Sequence, residues 1–183
     1  SIEQKIEYVD TMTLDRMPAS KHVDVGSISQ QPRVYDKSGK YVRLTCTSDS
    51  GAGESVLPHS WFPEVPAQRS EEANTTYVAA NGTAIPNQGK KILDGVNANG
   101  AKVRVEWQLA NVTKPLASIG ELTSKGHRVV FDDAEEGGGY IVHKPTSTKT
   151  PIRKKSGTYE FDIWVKIPDT GKERPGFNRQ GHP

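Results

Sequence analysis

From Tyr41 to Thr47 the chain reads Tyr-Val-Arg-Leu-Thr-Cys-Thr, so Val42, Leu44 and Cys46 fall on one side of an extended backbone and Arg43, Thr45 and Thr47 on the other. A period of two belongs to a half-buried β-strand and does not fit the 3.6-residue stripe of a helix. The same alternation runs through Val103, Val105, Trp107 and Leu109. Further β-rich runs, His-Arg-Val-Val-Phe from 127, Tyr-Ile-Val-His from 140 and Gly-Thr-Tyr-Glu-Phe-Asp-Ile-Trp-Val-Lys-Ile from 157, are separated by glycine and asparagine turns. Asn81-Gly82 suits a two-residue hairpin turn, where both central positions favour positive φ. One segment carries helix signals: Ser118 as N-cap, Glu121 as its capping-box partner and Gly126 as the stop. No strands alternate with long helices. The sequence therefore predicts an all-β fold, a closed β-barrel with one short helix.

A chain of 183 residues can bury one core, yet only 33% of it is hydrophobic and its mean hydropathy is -0.66. So low a content implies either polar ends or a small core that a partner subunit would complete. Residues 1–31 are mixed in charge and weakly periodic, an N-terminal extension or edge strand. Residues 32–167 form the folded body, and 168–183 read as a flexible polar tail.

The net charge of +2 gives no strong field for nucleic acid or membrane, and no stretch is long and apolar enough to span a bilayer. The basic run Lys149–Lys155 lacks interleaved aromatics and reads as a solvated loop. A single cysteine, Cys46, excludes an intrachain disulfide framework, points to an intracellular compartment, and sits on the inward side of its strand. The histidines at 22, 59, 127, 143 and 182 have no paired metal spacing, so neither a metal nor another cofactor is expected.

The strand from Tyr41 runs directly into Asp49-Ser50-Gly51-Ala52. Three explanations compete for a carboxylate placed there. Asp, Ser and Gly are ordinary turn residues. Asp-Ser-Gly followed by Ser55 also loosely matches a phosphorylation-dependent degradation signal. The third is the loop of an aspartic protease, in which two carboxylates share one proton, one activating water and the other polarising the scissile carbonyl. A neighbouring serine hydroxyl can orient the aspartate, and glycine lets the backbone turn beneath it.

Three segments in order, DSGAGESVLP from 49, YVAANGTAIPNQGKK from 77 and LANVTKPLASIGELTSKGHRVVF from 109, resemble the retropepsin-like proteases of retrotransposons, especially the copia type. The resemblance covers roughly residues 41 to 143. It implies that Asp49 is catalytic, with Ser50, Gly51 and Ala52 forming its loop. It implies a substrate-covering flap at 78–89, with Ala79, Ala80, Asn81, Gly82 and Thr83 at or near its tip. Leu116, Ala117 and Ser118 match the segment beneath the catalytic loop, with Ser118 where retroviral members have glycine. Ser48 and the polar pair Gly53-Glu54 depart from the family pattern. Asp169-Thr170-Gly171 spells a second motif by its letters, but it lies in the polar tail with no apolar strand before it.

One loop per chain implies a homodimer in which two copies of Asp49 meet across the axis. The activity implied is hydrolysis of peptide bonds, with the parent polyprotein as substrate, in the cytoplasm or a virus-like particle. The alternatives are a catalytically silent, domesticated dimerisation module of the same fold, and an unrelated β-barrel in which Asp49 is a turn residue.

Overall fold

Val42, Leu44 and Cys46 are fully buried along strand β2 (Tyr41–Asp49), as their alternation requires, and they line the interior of a closed barrel. The computed structural model describes residues 6–8, 31–79, 81–133 and 137–169. Ahead of β2 lies β1 (Ile6–Tyr8); after it come β3 (Val56–Pro58), β4 (Thr76–Val78), β5 (Ala84–Pro86), β6 (Lys90–Asn97) and β7 (Lys102–Ala110). Then follow β8 (Leu116–Ser118), the helix α1 (Ile119–Ser124), β9 (His127–Phe131), β10 (Gly139–His143), β11 (Thr148–Pro151), β12 (Arg153–Lys155) and β13 (Thr158–Lys166). Among the described residues the chain is thus mostly β with one short helix.

Six strands close the barrel. Strand β13 runs antiparallel to β2 over seven residue pairs and also pairs with β6. The ring continues from β6 to β7 and from β7 to β3, then passes through β8 back to β2. Closure depends on Gly95, because a Cβ there would lie 2.0 Å from the Trp164 carbonyl oxygen of the facing strand. Any side chain at that point would force the two strands apart.

The core contains Leu44, Leu57, Phe62, Trp107, Leu109 and Val165, all at most 2% exposed. Trp61 belongs to the same cluster. Cys46 is a core residue as well, and burial pushes its thiol well above the ordinary cysteine value. A second sheet, β9 to β11, packs beside the barrel, and a third places β4 between β1 and β5. Strand β1, Ile6–Tyr8, runs parallel to β4. Residues 9–30 and 170–183, which hold most of the expected extension and tail, lie outside the described residues.

Four local expectations are revised. On β7 the alternation holds at Val103 and Val105 but fails from Trp107 to Ala110, where all four residues are buried. The hairpin β4–β5 covers that end, and Gln108 bonds to Ser70 and Asn87. The basic run at 149–155 is not a loop. It supplies much of β11 and β12 around the buried Ile152, and Arg153 and Lys154 pair with Asp162, Glu160 and Asp133.

The hairpin turn has three residues, not two, because the Ala79 N–H donates to the Thr83 carbonyl and the Gly82 N–H to the Ala79 carbonyl. Gly82 has φ +83°, the left-handed position that such loops need. Lastly, the capping box forms only in half. Ser118 Oγ accepts from the Glu121 N–H, but the Glu121 carboxylate accepts from the Ser55 N–H.

Candidate active site

Asp49 is the last residue of β2, and β8 runs parallel to it with Asp49 in register with Ser118. Strand β8 also pairs antiparallel with β3, so it lies between the two strands that flank the Asp49 loop. That placement ties the loop to a segment far along the chain. Asp49 Oδ1 accepts hydrogen bonds from the Gly51 N–H at 2.8 Å and the Ala52 N–H at 3.2 Å. The carboxylate is therefore oriented by backbone amides of its own loop, and the residue is 3% exposed. At Gly51 a Cβ would stand 3.3 Å from Asp49 Oδ1, a tight approach that glycine avoids. Ser50 and Gly51 are exposed, and Ala52 is buried.

The segment beneath the loop is stitched to it by side chains. Ser118 Oγ donates to the Ala52 carbonyl at 2.7 Å while accepting from the Glu121 N–H at 3.1 Å. The Ser118 N–H donates to Ser55 Oγ at 3.0 Å, and the Ser55 N–H donates to Glu121 Oε1 at 3.2 Å. Leu116, Ala117 and Ser118 are all buried. A serine at this position does work a glycine could not, since its hydroxyl caps α1 and holds the loop at once.

The structure brings the expected flap to the same end of the molecule. Tyr77, Ala79 and Ile85 of the hairpin pack with Val56, Ala110, Val112 and Leu116, so its base rests on the strands that carry the loop. Asn81, Gly82 and Thr83 are exposed at the tip, where the Thr83 N–H donates to Asn81 Oδ1 at 2.9 Å. Ala80 lies outside the described residues.

Residues that the motif did not single out complete the arrangement. The buried Tyr77 hydroxyl donates to Glu54 Oε2 at 2.8 Å and accepts from Asn87 Nδ2 at 3.2 Å. Asn87 Nδ2 also reaches Gln108 Oε1 at 2.9 Å, which accepts from Ser70 Oγ. A polar chain thus links the loop after Asp49, the hairpin and β7. The signal for it in the sequence was the polar Glu54 itself, which stands where an apolar residue would continue the strand.

A carboxylate set at a strand end by two amides can take or give a proton if a second carboxylate faces it, and each chain carries one such loop. Among the described residues no group of three or more histidine, cysteine or acidic side chains is arranged to hold a metal ion. No helix among them is long and apolar enough to cross a membrane. Neither a protein-family model, nor a curated protein, nor a solved structure matches this chain.

Proposed function

We propose that this chain is a retropepsin-like aspartic endopeptidase domain, of the kind carried in copia-type retrotransposon polyproteins, acting as a homodimer. The observation that carries this reading is the register of Asp49 with Ser118, with the carboxylate held by the Gly51 and Ala52 amides. A turn aspartate in an unrelated barrel has no need of a buried strand threaded beneath its loop and bonded to it. The exposed hairpin tip beside that loop adds a second element the chemistry uses.

In this mechanism two copies of Asp49 face each other across the dimer axis and share one proton, because like charges that close do not both ionise. The ionised carboxylate takes a proton from water as its oxygen attacks the scissile carbonyl carbon. The protonated one donates to the carbonyl oxygen, and collapse of the tetrahedral species passes a proton to the leaving amine. An extended segment of polyprotein would pair by main-chain hydrogen bonds with the hairpin. The reaction needs no cofactor, and its setting would be the cytoplasm or a virus-like particle.

Incubating the purified chain with a peptide library between about pH 4 and 7 tests the reading. Cleavage abolished by Asp49→Asn, together with a dimer in sedimentation, is the expected result. Cleavage that survives Asp49→Asn, or a monomer at every concentration, would overturn it. A silent dimerisation module is the second reading, and the 3% exposure of Asp49 is the observation on its side, since a general base must reach water. A dimer with no Asp49-dependent cleavage would select that alternative.

A further inference from the structure

A cleft of about 460 Å3 opens between β7, α1 and the β9–β11 sheet, and its lining includes neither Asp49 nor any residue of the β4–β5 hairpin. That volume suits a small organic molecule. Its floor is apolar and aromatic, with Trp107, Leu122, Ile141, Phe161 and Ile163. Its polar lining is unbalanced in charge: Lys102, Arg104 and Lys125 with two histidines stand against the single carboxylate of Glu121. Arg104 is engaged by Asp94, and Glu121, bonded by the Ser55 N–H, also pairs with Lys125 at 4.0 Å, so Lys102 carries most of the surplus.

Two further observations concern what would sit there. The Trp107 indole N–H is buried and has no hydrogen-bond partner, so it lacks the acceptor such a group ordinarily has. His127 Nδ1 lies 3.0 Å from the Leu122 carbonyl, which can only accept, so that nitrogen carries the hydrogen and Nε2 is the remaining polar atom. His143 stands beside it, with ring centroids 4.9 Å apart. Burial holds His127 below the ordinary histidine value.

We propose that this cleft binds a small amphipathic anion: an aromatic body lies against Val103, Val105 and Leu122, and one carboxylate or sulfonate group faces Lys102 and Lys125. Ser55 and Glu121, which tie the Asp49 loop to α1, line the same cleft. An occupant would therefore touch the residues that hold that loop. The proposal does not depend on peptidase activity, because its test reads binding alone.

The probe is 8-anilinonaphthalene-1-sulfonate, titrated into the full chain and followed by its own emission and by quenching of tryptophan. The uncharged control is N-phenyl-1-naphthylamine, which shares the aromatic body. Saturable one-to-one binding is expected, tighter for the sulfonate by about tenfold, the scale of a charge-assisted contact. Lys102→Glu with Lys125→Glu should remove that preference while leaving the uncharged probe unchanged. Both lysines are exposed, and because Lys125 pairs with Glu121, unaltered circular dichroism and Lys102→Glu alone, which should lose most of the preference, separate the charge effect from any loss of fold. Equal affinity for the two probes, multi-site binding, indifference to the charge reversal or no saturable binding would each overturn the proposal.

Discussion

The hydroxyl of Tyr77, on the hairpin, donates to the carboxylate of Glu54, on the loop that follows Asp49, at 2.8 Å. This contact joins the candidate flap to the candidate catalytic loop within one chain. Tyr77 is 1% exposed, so the bond is shielded from competing water. Tyr77→Phe keeps the ring in its cluster and removes the donor. The expected loss is about 1–2 kcal/mol of stability, with faster amide exchange across residues 76–86 than elsewhere. Denaturant titration and hydrogen exchange read the two effects, and unchanged exchange in the hairpin would show that the bond does not hold it.

Ser118 makes its two side-chain bonds from a fully buried position. Ser118→Ala uncaps α1 and leaves the Ala52 carbonyl without this donor. A cost of about 1–3 kcal/mol follows, measurable in urea.

Gly95 marks the seam at which β6 meets β13. Gly95→Ala places a methyl group against the Trp164 carbonyl and should cost about 2 kcal/mol or more. A lowered unfolding midpoint is the expected readout. An unchanged one would mean the barrel is not closed at this point.

Asp162 predicts the acid limb of stability. Burial works to raise its pKa, but hydrogen bonds from Arg153 and Thr45 outweigh that and hold it below the ordinary aspartate value. An acid whose folded pKa is depressed contributes stability above its unfolded pKa, about 4, and loses it as pH falls through the folded value. Stability should therefore decline as pH drops below about 4, and Asp162→Asn should flatten that decline while lowering stability near neutral pH. Denaturant titrations across the acid range check both signs.

Among the barrel strands, β2, β7 and β13 were legible, together with the helix, because their signals are local, whereas the three-residue strands β3 and β8 are too short to show a period. Val42, Leu44 and Cys46 alternate within one short run, and Ser118 announces its helix within three residues. Strand β6 was harder, since it opens on Lys90-Lys91, which look like surface residues. Both are buried. Lys91 Nζ donates to the carbonyls of Trp61 and Phe62 at 3.0 and 2.9 Å, and Lys90 pairs with Glu71 and Glu106. Partners supplied from distant parts of the chain leave no trace beside the lysines themselves. The same holds for the candidate site. Asp49 and its loop stood out as a motif, whereas Glu54 found its purpose only in Tyr77, and the Glu121 carboxylate bonds to the distant Ser55 N–H and to Lys125, not to its own N-cap.

The insertion of β8 between β2 and β3 also sets a schedule. Ala52 and Ser118 are 66 residues apart, which at ordinary rates of synthesis corresponds to roughly 3 to 13 s of elongation. During that interval a nascent chain already displays its acidic loop but has nothing to seat it on. Whatever Asp49 does is therefore withheld until the ribosome has passed Ser118, so the topology itself keeps the loop unfinished until its support has been made.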